Sequence, residues 1–146
     1  MKSKITMIAL LAASVFGVDA YAAKVTTYEC KVVHTIEVID SKPVFVSTKD
    51  LRNNPIHNGY KVNLIESDDD TAKFIVSSAA IGTVIDRSKK MGKQNDDLAL
   101  YAYMDEAKEE SYGVMRKTNK KLKGERAFIS INDGKGRAYD KCKEVK

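Results

Sequence analysis

From Val25 to Ile39 apolar and polar residues alternate with a period of two. The even positions read Tyr28, Cys30, Val32, His34, Ile36 and Val38, and the odd ones are mostly wet: Glu29, Lys31, Thr35 and Glu37 beside Val33. Such a pattern predicts a strand with one buried face, and it puts Cys30 and His34 on the core side. Asp40-Ser41-Lys42-Pro43 reads as a turn, because proline fixes φ and lacks the amide that a central strand uses. Val44–Thr48 is then a short second strand. Tyr60–Glu66 and Thr71–Ser78 resume the alternation around a charged turn at Ser67–Asp70. Gly82–Asp86 is another short β-branched run. Asp50–Gly59 and Arg87–Asp97 are polar and rich in breakers, and they read as loops.

Leu98–Glu110 carries two signals. Asp96 or Asp97 could cap a helix of good formers, but Asp105 would break its apolar stripe. A hairpin of Leu98–Met104 with Ser111–Thr118 fits the alternation better. Asn119–Glu125 is a basic turn, and Ala127–Ile131 is a strand. Asn132-Asp133-Gly134-Lys135-Gly136 is the strongest turn signal in the chain, followed by a last strand over Arg137–Lys143. The predicted fold is mainly β: a small antiparallel meander, a closed or partly open β-barrel, with at most one short helix around 97–110.

The first 22 residues stand apart from this pattern. Lys2 and Lys4 precede an apolar run, Ile5–Val18, and Ala20-Tyr21-Ala22 places small residues before a cut. This is the three-part pattern of a secretory signal peptide cleaved after Ala22. The run is about 14 residues, against roughly 20 for a spanning helix. Residues 23–146 are then a single β-rich domain, periplasmic or secreted, with no stable membrane insertion of the mature chain.

Cys30 and Cys142 are the two cysteines of the chain. In an oxidising compartment they have one possible pairing, a bridge from the first strand to the last. A redox pair would use a close Cys-x-x-Cys, which this spacing is not.

Candidate chemistry is sparse. His57 and Asn58 sit in the irregular loop, and a small hydrolase using His57 with a nearby carboxylate is one alternative. Asp68, Asp69 and Asp70 lack the later glycine and distal glutamate of a calcium loop, so no metal is implied, and no motif implies a cofactor. No serine lies in a Gly-x-Ser-x-Gly elbow. A catalytic set is therefore not assembled by these residues. A barrel with an apolar lumen for a lipid-like ligand is a further alternative.

After loss of the leader the charge is about +4, a mild excess among many charges of both signs. Lys89, Lys90 and Lys93 form one basic cluster, and Arg116, Lys117, Lys120, Lys121, Lys123 and Arg126 form another. Gathered at one end of a barrel, they would attract anions. The implied partner is a protein, a glycan or an anionic envelope ligand; no nucleic-acid motif is present. The expected function is a non-enzymatic binding or interaction module in the bacterial envelope or outside the cell, with loops as the recognition elements.

Tyr28-Glu29-Cys30 at the start and Tyr139-Asp140-Lys141-Cys142 at the end are similar, in outline, to bacterial inhibitors of c-type lysozyme. The likeness covers only the two ends of the chain. It implies an alternative role as inhibitor of a host or envelope enzyme such as lysozyme.

Overall fold

A computed structural model describes residues 23–50, 59–117 and 124–146. Ten strands follow in chain order: β1 Lys24–Ile39, β2 Lys42–Asp50, β3 Tyr60–Glu66, β4 Thr71–Ser78, β5 Val84–Arg87, β6 Met91–Lys93, β7 Ala99–Asp105, β8 Glu110–Arg116, β9 Arg126–Asn132 and β10 Lys135–Glu144. No helix occurs among the described residues. The segment with two signals is the β7–β8 hairpin, with Asp105 opposite Glu110.

All pairings are antiparallel, in the order β10-β9-β8-β7-β6-β4-β3-β1-β2, and β10 also pairs with β1. The meander therefore closes into a ring, as the pattern predicts, but an uneven one. Strand β1 is shared. Its first half pairs with β3, its second half with β2, and its other edge with β10. The β1–β2 ribbon thus runs on beyond β3, while β5 pairs only with β4.

Two hairpins turn on a pair of left-handed residues, Asp40 and Ser41 (φ 52° and 63°) and Asp133 and Gly134 (φ 54° and 79°). This turn type matches the twist of the flanking strands. Pro43 consequently lies inside β2 rather than in the turn; an edge strand tolerates its missing amide. Within the polar stretch Arg87–Asp97, Met91 is fully buried and starts the short strand β6, so that stretch is not simply a loop.

Inside the ring, Tyr28, Leu64, Phe74, Met91, Phe128 and Tyr139 belong to one core. The ring of Phe128 packs against Tyr28 and Phe74, at centroid distances of 5.3 and 5.4 Å. Large side chains occupy the space that a lipid-like ligand would need. Cys30 and Cys142 stand opposite each other on β1 and β10, joined by a buried disulfide.

The expected single apolar row of β1 is split. Tyr28 and Cys30 face the interior, but the next interior residue is Val33. Ile36 instead joins a second cluster with Ile131 and Ala138, against which Val38 packs. Strand β10 breaks phase at the same level: Tyr139 opposes Val33, Cys142 opposes Cys30, and Lys141 between them is left-handed at φ 53°. Against β9 this is a bulge, with Asp140 and Lys141 of β10 opposite the single residue Ala127 of β9. One extra residue turns every later side chain to the other face. His34, Ile36 and Val38 therefore lie on the outer wall, and His34 is not a core histidine.

Candidate binding surface

The register identifies what the outer wall carries. Directly opposed residues share a face, so Met104 (β7), Ser111 (β8), Ile131 (β9), Gly136 (β10), Ile36 (β1) and Phe45 (β2) form one row across six strands. The row is buried in the middle, where Ile36 and Ile131 are 1% and 4% exposed, and open at its ends, where Met104 and Phe45 are 68% and 61% exposed. Gly136 is required there. A Cβ on it would stand 1.9 Å from the Ser130 carbonyl oxygen and 2.6 Å from Ile131 Cα, so no side chain fits.

At the Met104 end the wall deepens into a groove of about 260 Å³. Val38 and Ile131 lie in it, with Pro43 from the β1–β2 ribbon and Met104 from β7. Asp105, Glu106 and Glu109 from the β7–β8 turn also line it. Hydrogen bonds between turns hold the groove in shape. The Gly134 amide donates to the Glu109 carbonyl at 3.1 Å, and the Val38 amide donates to the Gly134 carbonyl at 2.7 Å.

His34 fastens the ribbon to the wall. Its Nδ1 lies 2.8 Å from Thr48 Oγ1 and its Nε2 lies 3.4 Å from Asp140 Oδ2. The Phe45 ring stacks on the imidazole with centroids 5.0 Å apart. Burial alone would raise the Asp140 carboxyl, but Lys117 Nζ at 2.8 Å, the Lys141 amide and His34 together hold it below the usual carboxylate range. A histidine between a carboxylate and a hydroxyl is also the partner set of a hydrolytic triad; here it bridges Thr48 of β2 and Asp140 of β10. The arrangement positions β2.

A second, polar cleft of about 350 Å³ opens where β5 faces β8 and β9, lined by Asp86, Arg87, Tyr112, Ser130 and Asn132. The Asp86 carboxylate accepts a hydrogen bond from the Tyr139 hydroxyl, lies 3.4 Å from Ser130 Oγ, and is approached by Arg137 Nη1 at 3.5 Å. Burial and this carboxylate push the Tyr139 phenol upward. Nearby, Glu110 accepts from Tyr112 at 3.0 Å and from Lys89 Nζ at 2.9 Å. The Lys89 bond holds Glu110 low, and burial with the Glu110 contact pushes Tyr112 up to about 12.

Of the sequence-predicted site residues, Lys89 is thus paired with Glu110, and its Nζ stands 5.6 Å from the centre of the Tyr103 ring. Lys90 and Lys93 meet Asp69 and Asp70 at 3.7 and 3.9 Å in exposed pairs. His57, Asn58, Lys120 and Lys121 lie outside the described residues. Within the second basic cluster, Lys117 is bound to Asp140. Lys117 follows the end of β8, whereas the Lys89 partner Glu110 begins it, about 20 Å away along the strand. Among the described residues no group of three or more histidine, cysteine, aspartate or glutamate side chains is placed to hold a metal ion.

Sequence reasoning missed Asp86 and Tyr112, and it reads the carboxylate pair Glu109 and Glu110 as a turn, whereas Glu110 begins β8. The signal available was a lone acid inside the β-branched run Val84-Ile85-Asp86. It missed the outer row because that row depends on register. No protein-family model, curated protein or solved structure matches the chain.

Proposed function

We propose that the chain is a non-enzymatic binding module, exported to the periplasm or beyond the cell, that engages a protein partner through its outer wall. One observation carries this reading: the apolar row from Met104 through Ile131 and Ile36 to Phe45, open at both ends. Exposed apolar surface of this kind marks interaction sites. The filled interior favours recognition at the surface over carriage of a ligand inside the ring. The buried disulfide is compatible with an oxidising compartment.

The edge of β2 is a poor docking element in itself. Pro43, a bulge beside Val46, and Lys42 all discourage strand addition. Binding through side chains of the wall is the consistent alternative.

The test is saturable binding of residues 23–146 to envelope extracts and to c-type lysozyme, repeated with Phe45→Asp and Met104→Asp. Micromolar binding lost in both variants supports the proposal. Binding unchanged by both variants, or no saturable partner, refutes it. An enzyme-inhibitor role uses the same surface, and slowed cell-wall lysis by c-type lysozyme in the presence of the domain is its readout.

A further inference from the structure

Building on the binding-module reading, we infer that the groove between Pro43 and Met104 accepts a lysine or arginine side chain presented by the partner. A long basic side chain has two parts, an apolar stem and a charged head, and is comfortable where each meets its like. The groove offers both. Val38, Pro43, Met104 and Ile131 supply apolar lining, and Asp105, Glu106 and Glu109 bring carboxylates to the same depression. Among the described residues none of these three carboxylates has an ion-pair partner within 4 Å, nor does Lys108 of the same turn pair with them. That contrasts with Asp69, Asp70, Asp86, Glu110, Glu125 and Asp140, each of which meets a cation.

Glu109 is also placed in advance. Its backbone is left-handed, at φ 48°, a conformation that a non-glycine residue holds only where its surroundings impose it. Its amide donates to the Glu106 carbonyl and its own carbonyl accepts from Gly134, both at 3.1 Å. Its Oε1 lies against Gly134, 3.1 Å from where a Cβ would stand. The backbone that carries this acceptor is fixed between two turns, which lowers part of the ordering cost of binding. In a chain of net charge +5, the groove is a local patch of opposite sign that selects a cationic head.

The probes are two fluorescein-labelled pentapeptides, Leu-Val-Arg-Val-Leu and the same sequence with citrulline, which keeps the shape of arginine but not its charge. Anisotropy titration of residues 23–146 should show the arginine peptide binding about tenfold tighter or more, with the advantage shrinking in high salt. Glu106→Gln with Glu109→Gln should abolish the preference while leaving the circular dichroism spectrum unchanged. Methyl resonances of Met104, Val38 and Ile131 should shift on titration. Equal affinities, no binding of either peptide, or shifts confined to residues away from the groove overturn the inference. Equal affinities lost together in Phe45→Asp would overturn the cation preference alone and leave the binding-module reading standing.

Discussion

The ring is closed by two seams built on different principles. Between β1 and β10, nine residue pairs run from Lys135 opposite Glu37 to Glu144 opposite Tyr28, and the disulfide sits within them. On the far side, β6 meets β4 through two pairs and β7 through two. Side chains do there what a ladder does elsewhere. The Phe74 amide donates to Ser88 Oγ at 2.8 Å, and Tyr101 donates to Glu66 at 2.8 Å. Lys89 reaches Glu110, and Tyr139 reaches Asp86 on β5. A β-ring thus stays shut with an incomplete backbone ladder, provided that buried polar groups across the gap are all satisfied.

The strong seam is broken most directly at its sulfurs. Replacing Cys30 and Cys142 with alanine opens the loop closed across a sequence separation of 112, and the chain-entropy account puts the loss at about 5 kcal/mol. Urea unfolding with and without reductant measures it, and an unchanged midpoint would mean that β1 and β10 need no lock. Next comes Gly136→Ala, which forces a methyl into the backbone of β9; overpacking of this kind costs about 3 kcal/mol and should be read from the same urea curves.

For the weak seam, Asp86→Ala strands the buried Tyr139 hydroxyl. Leaving such a group without its acceptor costs about 2 kcal/mol, and Tyr139→Phe in the same background should recover part of it. A double-mutant cycle isolates the pair.

Alkali should open the weak side first. Burial raises Tyr101 to about 12, with help from Glu66, and Tyr112 likewise with help from Glu110. Unfolded tyrosine ionises near its ordinary value of about 10, so the stabilisation is complete below that pH and drains away as pH climbs toward 12. Tyrosinate absorbance and loss of β-sheet dichroism should therefore rise together. Ionisation complete well before unfolding would contradict the burial of these phenols. The smallest effect is local: the amides of Gly92 and Lys93 should exchange hydrogen faster than those of Val32 and Val33, by openings short of global unfolding.

Much of this architecture is written in local pattern. Alternation outlines most strands, the Asp133-Gly134 pair marks its turn, and two cysteines in one chain allow a single intrachain bridge. What escapes local pattern is whatever depends on register. The even-numbered row of β1 reads as one core face, yet the bulge at Asp140 and Lys141, more than a hundred residues away, sends its second half outside. Met91 looks like a lone apolar residue in a polar stretch and turns out to plug the core. The groove needs three turns brought together, so no window of sequence contains it. The polar loops drew notice by composition, but the outer wall assembles its apolar row one residue per strand.

The placement of the disulfide has a mechanical consequence. Cys30 and Cys142 lie across from each other near the two ends of the domain, so a pull applied to those ends is borne by a covalent link after only the flanking residues straighten. The chain between them, a sequence separation of 112, is shielded from tension. Tethered by its ends, the oxidised domain should extend hardly at all, and reduction should convert it into a chain that pays out almost its full contour length.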